Sequence, residues 1–227
     1  MRNRRGLFAG MQSGRLSGFV PYKGTKDLPN AGRISRFIRN FVDMKVALCQ
    51  FSMEWEAAAR NLRRAEELVA QAGADLALLP EMFATGFVTE PWRTALPDEE
   101  ELLAWMRRTA RRYATALAGS AVVRSGDRFA NRFFFVRPAG GAERYDKRHL
   151  FSIGGEDAHF VAGRRRVVVE YGGLRFLPLV CYDLRFPVWC RCRSDYDAIL
   201  CVASWPAPRR EVWRTLLRAR AIENQCY

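Results

Sequence analysis

Residues 177–187 read Leu-Pro-Leu-Val-Cys-Tyr-Asp-Leu-Arg-Phe-Pro, an apolar run that leads into a cysteine and then into a polar turn. The run is typical of a buried strand, and Cys181 lies where that strand would end. A nucleophile in such a turn is exposed, and nearby backbone N–H groups are free to bind an oxyanion. A buried structural cysteine is the alternative. A pairing of Asp183 with Arg185 is one way to fix the turn.

The sequence around this stretch alternates between apolar strands and amphipathic helices from Met44 onwards. Strands are predicted over 45–51, 75–80, 118–124, 129–137, 143–150, 166–171, 174–181 and 196–203, and helices over 54–72, 98–117 and 207–225. Glycine-containing turns join three of the strand pairs as hairpins. Cys226 and Tyr227 are consistent with the start of one more strand. The pattern predicts a single α/β domain over 44–227 with a mixed sheet system.

The composition excludes several classes of protein. Apolar residues make up 49% of the 227 and charged residues 27%, which excludes an intrinsically disordered chain. Because no uncharged apolar run reaches the length of about 18 residues that a bilayer requires, no membrane partner is expected. Six cysteines without a secretory signal indicate a reducing, cytoplasmic location. Cys190 and Cys192 lack a second ligand pair at suitable spacing, so no metal or other cofactor is expected.

The positive charge is concentrated at the N-terminus. The net charge is +13, of which residues 1–43 contribute +7 and residues 44–227 contribute +6. Because this segment holds half of the excess and no nucleic-acid-binding motif is found, no nucleic-acid partner is expected. Residues 1–43 are either an Arg-rich targeting peptide or a basic, disordered extension before a start at Met44. The second interpretation fits better, since the segment lacks an amphipathic helix and Met44 stands directly before a strand.

Two other predicted strands also end in charged residues. Glu81 follows the apolar residues 75–80, and the carboxyl ends of strands line the ligand crevice in open α/β folds. Lys147 ends a hairpin strand in the sequence YDKRHL. Taken alone, each is better explained as a solvated side chain at a strand end. His149 would face the same side of a strand as Lys147, and we expect a structural role for it.

Together these sites resemble the nitrilase (carbon–nitrogen hydrolase) superfamily. The matching motifs are LLPEMFATGF with Glu81, YDKRHLF with Lys147 and LVCYDLRFP with Cys181, in the family order and at spacings of 66 and 34 residues. The resemblance extends from Met44 to Tyr227. The sequences CYDLRFPVW and ASWPAPRREVW are most similar to the omega-amidase (YafV-type) branch. The resemblance implies a four-layer αββα sandwich.

The same resemblance implies an amidase that acts on a small-molecule amide. The substrate would be the omega-amide of a small 2-oxo acid, of the 2-oxoglutaramate type, and Cys181 would form a thioester with it. Glu81 would act as general base, and Lys147 and the backbone N–H of Tyr182 would hold the oxyanion. Glu156, in the loop that follows Lys147, corresponds to a second family glutamate that assists hydrolysis.

Two points of this interpretation are open: which substrate the enzyme takes, and whether residues 44–227 hold the whole family domain. A 2-oxo acid carries a carboxylate, and a cation for it is expected among Arg185, Arg209 and Arg210, which follow strand ends. The alternatives are another amide, nitrile or carbamoyl hydrolase of the superfamily, or an inactive truncated member. The family domain continues beyond the closing helix, so 44–227 is expected to lack C-terminal strands, and the complete domain is expected to form a homodimer.

Overall fold

The chain is described from a computed structural model, which covers residues 11–15, 44–93 and 98–227. The strands are β1 (Met11–Arg15), β2 (Lys45–Cys49), β3 (Leu76–Leu78), β4 (Ala116–Ser125), β5 (Arg128–Val136), β6 (Ala142–Asp146), β7 (Val169–Tyr171), β8 (Leu174–Val180) and β9 (Ala198–Val202). The helices are α1 (Ala58–Ala72), α2 (Glu99–Tyr113), α3 (Glu156–His159), α4 (Pro187–Cys190) and α5 (Arg210–Asn224). Short 3-10 turns lie at Ser152–Gly154, Cys181–Arg185 and Ala207–Arg209, among others.

The strands form two sheets of mixed direction, as predicted. The larger sheet has the order β1-β2-β3-β4-β5-β6, and the smaller one has the order β7-β8-β9. Strands β2, β3 and β4 run parallel, so α1 and α2 serve as the crossover connections that parallel neighbours need. In the smaller sheet, β8 is antiparallel to β7 and parallel to β9. The predicted hairpin between β7 and β8 turns at Gly172 and Gly173, which both have positive φ.

The phenylalanine run of β5 shows how the layers are built. Successive side chains of a strand point to opposite faces. Phe134 therefore packs in the core with α1 and α2, whereas Phe133 and Phe135 pack in the core that the two sheets share. Such a continuous apolar run is typical of a strand that is covered on both faces.

The remaining layer is α5, which covers the outer face of the smaller sheet. Leu177 and Leu179 of β8 pack there with Trp213 and Leu216 of the helix. The order of layers is helices, large sheet, small sheet, helix, which confirms the predicted αββα sandwich. Every helix within 44–93 and 98–227 is too short or too polar to cross a bilayer.

Strand β1 lies within the N-terminal segment for which disorder was predicted. It pairs antiparallel with β2, from Met11 opposite Cys49 to Arg15 opposite Lys45. The prediction is wrong for these five residues, because the free edge of β2 offers unpaired backbone groups to a segment that reaches it. The other residues of 1–43, to which the prediction also applied, lie outside the described ranges.

Helix α2 ends four residues earlier than predicted. Ala114 adopts a left-handed conformation with φ 51°, and Ala116 already pairs with Leu76 of β3. The Thr115 hydroxyl donates to the carbonyl of Ala74 at 2.7 Å and fixes this change of direction. The apolar residues after the helix therefore join the sheet, because pairing with β3 buries their backbone groups as well as their side chains.

Candidate active site

Cys181 is the first residue after β8, and its backbone is strained. Its φ of 47° lies in the left-handed region that residues with a Cβ rarely adopt. A nucleophile at a sharp strand-to-helix turn commonly has such a backbone, because the turn lifts the side chain away from the sheet. Cys181 is 9% exposed, and it lines a pocket at this edge of the molecule.

Glu81 lies in the turn after β3 and is fully buried. Its Oε1 accepts hydrogen bonds from Lys147 Nζ and Asn131 Nδ2, both at 2.9 Å. Its Oε2 accepts from the backbone N–H of Ser204 at 2.8 Å. Together with burial, the charge of the same carboxylate acts on the Cys181 thiol and raises its pKa. The candidate base is therefore held from three sides next to the candidate nucleophile.

Lys147 connects the two glutamates of the site. Its Nζ lies 2.9 Å from Glu81 Oε1 and 2.8 Å from Glu156 Oε2, and all three side chains are 0% exposed. Glu156, at the start of α3, also accepts from the backbone N–H of Phe151 at 2.7 Å. These are the two hydrogen bonds of Lys147 Nζ among the described residues, and since an ammonium has three donors, one N–H is left for another acceptor. The predicted set of Glu81, Lys147, Glu156 and Cys181 thus meets in one cluster.

Burial and charge set the protonation of this cluster. Burial lowers the pKa of Lys147, but the charges of Glu81 and Glu156 outweigh it, and the pKa lies above its ordinary value. Burial, and then the charge of Glu81, raise the pKa of the Cys181 thiol well above its ordinary value, and Lys147 offsets this only in part. The resting thiol is therefore neutral, and a base must take its proton before or during attack.

Asn131 on β5 is a member of the cluster that the sequence analysis missed. Its Nδ2 donates to Glu81 Oε1 at 2.9 Å and to Glu156 Oε1 at 3.1 Å. Within the described ranges, its Oδ1 is the one buried side-chain nitrogen or oxygen atom without a hydrogen-bond partner. The available signal was a single amide, next to Arg132, in the mostly apolar stretch FANRFFFV, where a buried polar residue requires specific partners.

A second buried network lies behind the cysteine. Asp183 Oδ1 accepts from the backbone N–H of His149 at 2.8 Å, and Oδ2 accepts from the Tyr145 hydroxyl at 2.8 Å and from the backbone N–H of Val180 at 3.1 Å. The suggested pairing of Asp183 with Arg185 is wrong, because these donors occupy the carboxylate instead. His149 also contacts Asp183 Oδ1 through its ring at 2.8 Å, which agrees with the structural role predicted for it.

The pocket beside Cys181 has aromatic walls and two cations. Its walls include Phe87, Phe151, Tyr182 and Trp205, and Arg185 and Arg209 also line it. The Arg185 guanidinium lies over the ring of Trp205 at 5.4 Å, and that of Arg209 lies over Phe151 at 5.6 Å. Arg210, the third predicted arginine, is exposed at the start of α5 and is not part of this lining.

Comparison with known proteins relates this geometry to a family. The carbon-nitrogen hydrolase family model matches residues 45–227. The omega-amidase YafV of Yersinia enterocolitica is 48% identical over 185 residues, which are 81% of this chain and 72% of that protein. The 2-oxoglutaramate amidase of Bacillus subtilis (strain 168) is 32% identical over 189 residues, 80% of this chain and 73% of the relative.

Solved structures give the same relationship. XC1258 from Xanthomonas campestris, a CN-hydrolase superfamily protein with an arsenic adduct in its active site, is 41% identical with a TM-score of 0.78, over 82% of this chain and 74% of that one. An amidase from Nesterenkonia sp. AN1, with acrylamide added at its active-site cysteine, is 27% identical with a TM-score of 0.74, over 81% and 76% of the two chains. The present chain belongs to the carbon–nitrogen hydrolase family of the nitrilase superfamily, and it is an amide-hydrolysing enzyme with a cysteine nucleophile.

Proposed function

We propose that this enzyme hydrolyses the omega-amide of small 2-oxo acids, of the 2-oxoglutaramate type, to the dicarboxylate and ammonia. One observation carries the choice of substrate class. Within the described residues, neither Arg185 nor Arg209 has a carboxylate partner, although both line the pocket that holds Cys181. Two such guanidinium groups on apolar walls favour a ligand with its own carboxylate. The names of the omega-amidase and 2-oxoglutaramate amidase relatives support the same class.

The first half of the reaction forms the thioester. Glu81 takes the proton of the neutral Cys181 thiol while the sulfur attacks the amide carbon, and the carbonyl oxygen becomes an oxyanion. The free N–H of Lys147 and the backbone N–H of Tyr182 hold that oxyanion. When the tetrahedral intermediate collapses, the C–N bond breaks, and the proton on Glu81 moves to the nitrogen, which leaves as ammonia.

The second half of the reaction hydrolyses the thioester. A water molecule takes the place of ammonia, gives a proton to Glu81 and attacks the acyl carbon. The C–S bond then breaks, the sulfur takes the proton back from Glu81, and the product acid leaves and releases its own proton to the solvent as it ionises. Glu156 assists this half by holding the Lys147 ammonium, since both carboxylates bind the same Nζ.

Charge-removing variants of the two arginines test the substrate class. Arg209→Met and Arg185→Met should each raise KM for 2-oxoglutaramate by about 10- to 100-fold, because a charge-assisted hydrogen bond is worth roughly 1.5–3 kcal/mol. KM for an uncharged amide such as propionamide should change little. Arg214→Met is the matched control, since Arg214 is an exposed residue of α5 that pairs with Glu211.

The results separate this proposal from the alternatives. Equal changes of KM for both amides in the Arg185 and Arg209 variants would contradict the proposal that these arginines bind the substrate carboxylate. A wild type that releases ammonia from uncharged amides, but not from 2-oxoglutaramate, would favour another amide, nitrile or carbamoyl hydrolase of the superfamily. Cys181→Ala should abolish ammonia release with either substrate, and retained turnover would contradict the assigned nucleophile.

We further propose a homodimer in the cytoplasm, without a nucleic-acid or membrane partner. All six cysteines are free thiols, which supports a reducing compartment. Size-exclusion chromatography with light scattering measures the oligomeric state, and a monomer at micromolar concentration would contradict the dimer.

A further inference from the structure

Asn131 lies at the centre of the charged cluster. It is 0% exposed, and its side-chain amide lies between the two glutamates. The two N–H groups of one amide nitrogen suffice for the two hydrogen bonds, to Glu81 Oε1 and to Glu156 Oε1. The reverse orientation of the amide would direct its oxygen at two carboxylates, which only accept. The carboxylates therefore fix the orientation, even though Oδ1 then lacks a partner among the described residues.

The amide determines which oxygen of Glu81 is free to take a proton. A carboxylate has about four acceptor positions, two on each oxygen. Lys147 and Asn131 together occupy both positions of Oε1, and the Ser204 N–H occupies one of Oε2. The remaining position is on Oε2. A thiol proton can therefore reach Glu81 without displacing a donor only at that oxygen.

Glu156 has the complementary pattern. Lys147 and the backbone N–H of Phe151 occupy both positions of its Oε2. Asn131 donates to Oε1 and is the only described side chain, besides Lys147, that binds both glutamates. Unlike Lys147, a neutral amide adds no charge and does not ionise, so it orients the carboxylates without changing the number of protons in the cluster.

We propose that Asn131 is a positioning residue for amide hydrolysis: its donation to both Oε1 atoms directs the proton-accepting position of Glu81 to Oε2 and holds Glu156 against the same ammonium. The inference rests on the proposed roles of the two glutamates and is independent of the substrate class. The titratable groups that face this pair are Lys147, from the residues after β6, and Cys181, from the turn after β8, with Cys201 of β9 beyond the thiol.

Asn131→Leu, a substitution of similar shape, tests the proposal with two independent measurements. For ammonia release from 2-oxoglutaramate, kcat should fall by about 10- to 100-fold while KM changes little. The size is taken by analogy from residues that orient the side chains of a metal site, whose loss typically has an effect of this order. The acid limb of kcat/KM should move to higher pH, because the loss of a donor disfavours a charged carboxylate. The pH dependence of the rate at which iodoacetamide alkylates Cys181 should shift to higher pH in the same way. If wild type does not turn over 2-oxoglutaramate, the substrate class is wrong, and the alkylation still tests Asn131.

Asn61→Leu is the matched control. Asn61 is also a buried amide, but its side chain binds backbone groups of Glu54 and Ala84. This variant should lose thermal stability and keep the wild-type pH profile. Asn131→Ser, smaller and with a single donor, serves as the second variant if the leucine variant does not fold. It should show the same fall in kcat and the same shift of the acid limb to higher pH. Wild-type kcat and pH profile in a folded Asn131 variant, or an equal shift in Asn61→Leu, would overturn the proposal.

Discussion

The side chains of Tyr145 and Asp183 meet in a hydrogen bond of 2.8 Å, which links the large sheet to the turn that follows the small one. Tyr145 belongs to β6 of the large sheet and precedes Lys147 by two residues. Asp183 follows β8 of the small sheet and comes two residues after Cys181. The bond therefore links the segment that carries Lys147, the candidate oxyanion donor, to the turn that carries Cys181, the candidate nucleophile. It holds these two residues in place relative to each other.

The phenol of Tyr145 should contribute measurably to stability. Besides donating to Asp183, it accepts from Trp189 Nε1 at 3.0 Å and from the backbone N–H of Arg148 at 3.2 Å. Tyr145→Phe leaves these donors without their acceptor and should lower the free energy of unfolding by about 2 kcal/mol. Tyr171→Phe, which removes an exposed hydrogen bond to the Asp75 carbonyl, should cost less than about 1 kcal/mol. Denaturant titration of both variants measures the difference, and equal losses would contradict this prediction.

Removal of the buried ammonium should destabilise the fold as well as abolish activity. Lys147→Met leaves Glu81 and Glu156 buried without their cation, and such a change typically costs about 3–5 kcal/mol. Arg137→Met breaks a partly exposed pair with Glu143 and should cost less than about 1 kcal/mol. Thermal and chemical unfolding provide the comparison. A Lys147→Met variant as stable as wild type would show that the glutamates are neutralised in another way.

The enzyme should keep its activity in alkaline solution. The pKa of Lys147 is raised above its ordinary value of 10.5, so the ammonium and its ion pairs are fully present below that pH. They are lost only as the pH rises through the higher pKa of the folded state. The kcat/KM profile for amide hydrolysis should therefore have no descending limb below about pH 10, near the ordinary pKa of lysine. A decline between pH 8 and pH 9 in a folded protein would contradict this assignment.

Alkylation of Cys181 should depend on Glu81. Since burial, the largest cause, raises the pKa of the thiol, little thiolate exists without transfer of its proton to a base. Glu81→Gln should slow the reaction with iodoacetamide by at least about tenfold, given the usual contribution of a general base. Peptide mapping of the same samples supplies the control, because the other five cysteines should react as in wild type. Unchanged labelling of Cys181 would exclude Glu81 as its base.

The sequence was informative where charged residues follow strands. Glu81, Lys147 and Cys181 each come directly after an apolar or hairpin strand, and two packed sheets bring those ends to one place. The side chains therefore converge although 66 and 34 residues separate them along the chain. The layers were predicted from the resemblance to the nitrilase superfamily, and β5 shows their physical reason, because Phe134 on one face and Phe133 on the other both need cover.

Residues that act through long-range polar contacts were not predictable in this way. Val212 and Ile222 are spaced as residues of one apolar helix face, yet their side chains are exposed. Two polar residues of α5 are buried instead: Arg220 Nε donates to the Leu184 carbonyl at 2.9 Å, and Asn224 Oδ1 accepts from the Cys192 N–H at 2.8 Å. Asn131 was missed for the same reason, since its partners become neighbours only after the chain has folded.

The positive φ of Cys181 bears on how such an enzyme evolves. A left-handed residue with a Cβ carries a conformational cost of about 1 kcal/mol, which glycine does not have. A change of Cys181 to glycine would thus relieve the backbone while it removes the sulfur. The backbone strain therefore opposes the cysteine, which its packing in the shared core and the demand for the reaction favour. Descendants that lose this demand can turn into folded, silent proteins through one substitution.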